Sequence, residues 1–154
     1  MLFILFQLGR DRYALDAAQV AEVLPLMELK AIPHAPPGVA GAFNYRGAPV
    51  PVIDLSEIAL GRPARPRLST RLLLVHYPDA TGAPRQLGLI AERATETLRC
   101  EPADFVPSGV ASDGAPYLGP VFASPRGLIQ WIELNQLLPA SVRDVLFQPA
   151  AATA

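Results

Sequence analysis

Residues 41–55 read GAFNYRGAPVPVIDL. Two short runs of apolar and β-prone residues, 40–45 and 48–53, flank the dipeptide Arg46-Gly47. Gly47 is free to take the positive φ that a tight hairpin turn requires, so the stretch predicts a β-hairpin. It closes on Asp54, whose carboxylate can accept from the free amides of a following helical turn, and a short helix is expected over 55–59.

Outward from this hairpin the same pattern recurs. Segments of about four to eight residues rich in Leu, Val, Ile and Phe, bounded by Gly, Pro or Asp, run along the chain and point to a mainly β barrel or sandwich. The expected strands are 2–8, 12–15, 24–32, 40–45 and 48–53 in the first half, then 71–77, 86–91, 95–100, 117–123 and 128–132. Asp16 stands where it can cap a short helix over 17–23. Further helical stretches are expected over 134–138 and 139–147, with a frayed tail over 148–154. Residues 61–69, GRPARPRLS, are polar, are broken by Pro63 and Pro66, and read as a crossover between the halves.

Self-comparison supports two related halves. Laying 13–24 over 87–98 aligns Leu15 with Leu89, Ala17 with Ala91, Glu22 with Glu96 and Leu24 with Leu98. Arg46-Gly47 opens a run ending in Ile53-Asp54-Leu55, and Arg126-Gly127 opens one ending in Ile132-Glu133-Leu134 with one residue dropped. Both matches occur in the same order, as two related five-stranded barrels in one body would produce.

Composition narrows the function classes. The chain has 154 residues, 51% hydrophobic and 18% charged, enough to bury a core without disulfides or a structural metal. Seventeen prolines and 11 glycines, scattered throughout, exclude helix bundles and coiled coils. The single Cys100 can form neither an internal bridge nor a cysteine-based zinc site, which suits a reducing, cytoplasmic setting. Thirteen basic against 14 acidic residues leave a net charge of -1, so no broad field draws nucleic acid or anionic membrane. The opening apolar run is interrupted by Gln7, has no basic segment before it and ends at Gly9-Arg10, unlike a signal peptide or a membrane span.

Catalytic chemistry is sparse. His34 sits in PHAPPG, a polyproline-like loop, His76 ends an apolar strand, and Cys100 reads as a small buried thiol. Asp104 and Asp113 read as turn formers, and Ser108-Gly109 lacks the context of a nucleophile elbow. No phosphate loop, dinucleotide fingerprint or metal-spaced histidine pair is present, so no catalytic, cofactor or metal site is expected. Arg62, Arg65, Arg67 and Arg71 form a basic cluster that could meet a phosphate or an acidic partner. The prolines are expected to spread it over an extended, solvated connector, and no aromatic residue is interleaved to stack bases. Arg46 offers a planar fork for a carboxylate at the hairpin turn, and Glu22 is its candidate partner.

Gly41, Asn44, Arg46, Gly47, Pro51, Val52, Asp54 and Leu55 form a long ordered pattern. On these residues the chain resembles the CheW family, adaptors that couple CheA-type histidine kinases to methyl-accepting chemotaxis receptors. FQLGRDRYALDAAQVAEVL, QLGLIAERATETL and YLGPVFASPRGLIQWIELNQLL resemble the family's opening strands, second-barrel start and closing hairpin, so the resemblance runs from Phe3 to Leu138. It implies two SH3-like five-stranded β-barrels with a hydrophobic groove between them. Residues 1–60 and the tail 139–154 would belong mainly to the first barrel, 61–69 to the connector and 70–138 to the second.

The resemblance further implies a stand-alone, non-enzymatic adaptor without cofactor, cytoplasmic, recruited to receptor arrays and monomeric outside them. Its partners would be the regulatory domain of a CheA-type kinase, met through barrel ends, and the receptor's cytoplasmic hairpin tip, met through the groove. Nucleic acid and direct membrane insertion are not implied. Val20 and Gly41 match positions of kinase or receptor contact, Glu22 and Arg46 match an acidic and basic pair near that surface, and Asn44 and Gly47 match residues that hold the hairpin. Where many members carry aspartate then glycine, this chain has Glu92-Arg93, a bulky charge at a turn. Brevity and a Leu- and Pro-rich style lean towards the Wsp-type surface-sensing branch. The alternative reading is a β-barrel module binding a small ligand or an oligonucleotide, with Tyr13, Phe43, Tyr45, Tyr77, Tyr117 and Trp131 as the aromatics available for stacking.

Overall fold

A computed structural model describes residues 1–110 and 113–148. Its strands are β1 (Leu2–Leu8), β2 (Asp11–Asp16), β3 (Val20–Pro25), β4 (Val39–Tyr45), β5 (Ala48–Asp54), β6 (Arg71–Pro78), β7 (Pro84–Arg99), β8 (Leu118–Ser124) and β9 (Gly127–Ile132). Two short helices, α1 (Leu55–Leu60) and α2 (Ala140–Leu146), follow β5 and precede the end of the described chain. Residues 149–154 of the expected tail lie outside the described residues.

The strands close into two five-stranded barrels that share the long β7. In one, β3, β6, the first part of β7, β5 and β4 pair in that order. Lys30 closes the ring by exchanging two backbone hydrogen bonds of 2.9 Å with Ala42. In the other, the second part of β7 pairs with β1, then β2, β9 and β8 follow. Val106 closes it by exchanging two bonds of 2.8 Å with Val121. We refer to these as the β4–β5 barrel and the β8–β9 barrel.

The barrels do not follow the expected division of 1–60 from 70–138. The order β1, β2, β3, β4, β5 repeats as β6, first β7, second β7, β8, β9, and even the parallel pairs correspond, Val52 opposite Gly88 and Arg12 opposite Ile129. Each leading hairpin, however, completes the other repeat's barrel: β1 and β2 join β8 and β9, while β6 and the start of β7 join β3 to β5. Self-similarity reveals equivalent segments but not which copy each one pairs with.

This exchange explains the unbroken apolar runs. Leu72 and Leu74 of β6 point into the β4–β5 barrel with Phe43, Val50 and Val52. Leu73, Val75 and Tyr77, on the opposite face, enter a larger core between the barrels with Phe6, Leu8, Leu87 and Leu89. Phe3 and Leu5 of β1 fill the β8–β9 barrel beside Phe105 and Ile129. A strand buried on both faces has no polar face to show in sequence.

Tyr77 pins this central core to the turn before α2. Its hydroxyl donates to the Asn135 carbonyl at 3.2 Å and accepts from the Leu138 amide at 2.9 Å, and Tyr77 is only 2% exposed. Tyr77→Phe leaves the buried Leu138 amide without a partner and is expected to cost about 1–3 kcal/mol. Urea denaturation checks this: the midpoint should fall with an unchanged slope.

Several expected boundaries move. In place of a helix over 17–23 there is one 3-10 turn, Ala17–Gln19, with the Asp16 carboxylate accepting from the Ala18 amide at 2.9 Å as expected. The chain then enters β3, where Val20, Glu22 and Leu24 are half-buried and Ala21, Val23 and Pro25 are exposed. That period of two, with backbone partners waiting on β6, outweighs a weak helical pattern. The strand expected over 24–32 is therefore mostly β3's exit, with only Lys30 bridging. The pairs 86–91 and 95–100 merge into β7, because Arg93 takes a positive φ of 50° and bends the strand without ending it. Residues 134–138 reduce to one 3-10 turn, Leu134–Gln136. Nine strands thus stand among the described residues, against ten expected.

Candidate docking surfaces

The β4–β5 hairpin turns on two residues in the left-handed region, Arg46 at φ 51° and Gly47 at φ 89°. Two consecutive positive φ values match the twist of the flanking strands, and Arg46 tolerates a conformation usually left to Asn or Gly. Asn44 helps hold it: its side-chain oxygen accepts from the Gly47 amide at 2.8 Å. Arg46, Asn44 and Gly47 are all exposed at this end of the barrel.

Glu22 reaches the hairpin from β3, although not as expected. No ion pair joins Glu22 to Arg46 among the described residues. Instead the Tyr45 hydroxyl donates to the Glu22 carboxylate at 2.5 Å, and the Arg46 guanidinium lies 5.1 Å from the centroid of the same ring. The carboxylate as acceptor favours the protonated phenol, so the Tyr45 pKa is raised, chiefly by this bond and further by desolvation. Glu22, Tyr45 and Arg46 form a carboxylate, ring and guanidinium series, and among the described residues nothing accepts from the five donors of Arg46. In the sequence Tyr45 stood only among the aromatics available for stacking, and its bridging role was missed. The available signal was a tyrosine directly before the turn.

The repeat-related positions behave differently. Glu96 and Arg126 do pair, at 3.6 Å, but both side chains are more than half exposed. Such a pair contributes at most about 1 kcal/mol. Pro125 stands where the first hairpin has Tyr45, so nothing intervenes between acid and base.

Val20 and Gly41 lie deeper than the resemblance implied. Val20 is half-buried and packs against the core between the barrels, and a bulge in β3 separates it from Glu22. Gly41 is buried, has φ 146°, and a Cβ on it would stand 2.5 Å from the Lys30 carbonyl oxygen. Its lack of a side chain is what lets the Lys30 bridge close the barrel. Gly41 thus has a structural role in the barrel wall.

A separate apolar groove runs between the barrels. Gly38, Ile53, Ile58, Tyr117, Leu137 and Val142 line a cavity of about 550 Å³, drawing on β5, α1, the approach to β8 and α2. None of Val20, Glu22, Gly41 or Arg46 borders it. Burial raises the Tyr117 pKa, so its phenol stays neutral at the groove wall.

The remaining chemistry-bearing residues stay apart. His34 is exposed at φ 59° in a turn, not in a polyproline segment, and His76 is exposed on β6. Burial, then Asp104, pushes the Cys100 thiol up, which lowers its reactivity. Among the described residues no three His, Cys, Asp or Glu side chains gather as a metal site would need.

A profile of the CheW-like domain matches residues 2–142. The chain belongs to the CheW-like domain family. Chemotaxis protein CheW of Rhizobium meliloti (strain 1021) is 27% identical over 143 residues, which covers 92% of this chain and 89% of that relative. Protein FrzA of Myxococcus xanthus is 31% identical over 113 residues, 73% of this chain and 68% of FrzA. The crystal structure of scaffolding protein TtCheW from Thermoanaerobacter tengcongensis matches with a TM-score of 0.78 at 23% identity, covering 92% of this chain and 89% of that one. That likeness speaks for the fold, two SH3-like barrels, which the strand pairing shows here. These matches assign the CheW-like chain to no branch of the family.

Proposed function

We propose that this chain is a non-enzymatic adaptor that couples methyl-accepting receptors to a CheA-type histidine kinase. The observation that carries the reading is the presence of two surfaces that share no lining residue, since a coupler must hold two partners at once. The hairpin end of the β4–β5 barrel, with Arg46 exposed and its guanidinium outside any ion pair among the described residues, suits a kinase regulatory domain. The groove of about 550 Å³, apolar and built from both barrels, suits the hairpin tip of a receptor. Asn44 and Gly47 hold the hairpin, and Glu22 acts on Arg46 through Tyr45. No helix among the described residues is long and apolar enough to cross a membrane, so array recruitment would run through the receptor. The oligonucleotide alternative has less support: Phe43, Tyr77 and Tyr117 are buried, and Trp131 packs at 4.9 Å and 5.1 Å against Phe3 and Phe105.

Capture of partners from source-cell lysate, identified by mass spectrometry, tests this with Arg46→Glu beside the parent protein. The parent should recover a CheA-type kinase and a receptor. Arg46→Glu should reduce kinase recovery at least about tenfold, as for a buried charge at an interface centre. Its thermal unfolding should remain cooperative at about the parent's Tm, because the Arg46 side chain makes no hydrogen bond or ion pair among the described residues. A variant that fails to fold, or that captures the kinase as well as the parent, removes Arg46 from the docking surface.

A further inference from the structure

The connector over 61–69 is largely exposed, as expected, but hydrogen bonds tie it back to the barrels. Ala64 donates to the Asp54 carboxylate at 2.9 Å, Arg65 donates from its amide to Glu92 at 2.8 Å, and Thr70 donates its hydroxyl to the Arg65 carbonyl at 2.5 Å. Ala94 of β7 donates to the Ser69 carbonyl at 3.1 Å. These bonds fold the connector back over the junction of the two barrels. Arg62, Arg65 and Arg67 thereby converge with Arg10 from the β1–β2 turn and Arg93 from the bend in β7.

The five arginines line a cleft of about 540 Å³, with Gln7, Ser69, Thr70 and Glu92 among the remaining wall residues. Arg71, counted with the connector cluster in sequence, is not among them. The ion pairs among the described residues are Arg85–Asp79, Arg126–Glu96 and Arg143–Asp144, so none of the five is neutralised by a carboxylate. Glu92, the one acid in the wall, already accepts from the Arg65 amide. In a chain whose net charge is -1, this is a concentrated positive site that like-charge repulsion disfavours when empty.

We propose that this cleft binds a small anion bearing two or more adjacent phosphate groups. Guanidinium forks match phosphate oxygens two at a time, and the cleft volume falls within the range of small-ligand sites, roughly 300–1,000 Å³. No aromatic residue lines it, so recognition runs through phosphate oxygens and not through a stacked ring. Because β1–β2, the connector and β7 all contribute, a bound anion bridges both barrels. The proposal is independent of the adaptor reading, since no residue of the hairpin end or the groove takes part.

Calorimetric titration of the purified chain with inorganic pyrophosphate and tripolyphosphate, at fixed ionic strength, tests it. Expected is saturable binding at one anion per chain, weakened by added salt. Arg93→Gly suits the positive φ at that position, so it removes one guanidinium while keeping or raising Tm. Combined with Arg65→Gln it should weaken binding at least about tenfold, as loss of two charge-assisted hydrogen-bond donors predicts. Arg99→Gln/Arg126→Gln, on the β8–β9 barrel, should leave affinity unchanged. Absence of saturable binding, an equal loss in both double variants, or capture by phosphatidylglycerol vesicles without binding of the soluble anions would overturn the proposal.

Discussion

Gly41→Ala is expected to lower the stability of the chain by about 3 kcal/mol or more, from a combination of backbone strain and overpacking. The φ of 146° is one that side-chain-bearing residues rarely adopt. A Cβ placed there would stand 2.5 Å from the Lys30 carbonyl and 3.1 Å from the Leu29 Cβ. Backbone cannot yield as a flexible side chain can, and the Lys30–Ala42 bridge that closes the barrel would have to open. Against a total of about 5–15 kcal/mol for an ordinary domain, such a loss takes away much of the margin. Chemical denaturation measures it directly. Partner capture per folded molecule should be unchanged, because the position faces into the barrel wall. Full stability with lost capture would place Gly41 on the docking surface.

Asp54→Ala should produce a loss of comparable size through a different cause. The Asp54 carboxylate is buried, at 4% exposure, and accepts from three amides: Ser56 at 3.0 Å and Glu57 at 3.3 Å within α1, and Ala64 at 2.9 Å in the connector. Loss of the helix cap costs about 1 kcal/mol and each amide left unpartnered about 1–3 kcal/mol, so about 3 kcal/mol is expected. Asp54→Asn keeps one acceptor oxygen and should lose about half as much. The two variants, compared by thermal and urea denaturation, separate the cap from the connector tie. Equal stability of Asp54→Ala and the parent would show that water replaces all three bonds.

Local chemistry was legible in the sequence wherever a few neighbouring residues decide the outcome. Arg46-Gly47 marked its turn, Asp54 its helix, and the Glu22–Glu96 and Arg46–Arg126 correspondences marked the repeat. What escaped depends on long-range partners. The stretch after Asp16 became β3 because β6 supplies its hydrogen bonds, and β6 is distant in the chain. The expected Glu22–Arg46 pair became a series through Tyr45, since a one-residue difference from Pro125 decides whether a ring intervenes. The connector arginines are exposed, as expected, but their companions, Arg10 and Arg93, lie on segments that only the fold brings beside them.

The exchange of leading hairpins sets an order of events during synthesis. As the chain leaves the ribosome, β1 and β2 appear before the other strands, yet those that complete their barrel do not follow until Ile132 has emerged. The β4–β5 barrel needs nothing beyond Ala91 and can close while its sibling is half made. For that interval the first hairpin holds Phe3 and Leu5 without their partners Phe105 and Ile129. An early-made segment that waits for a later one is an aggregation hazard until Ile132 has emerged. It also means that a nascent chain stalled after the connector contains no finished barrel, although it contains one whole repeat.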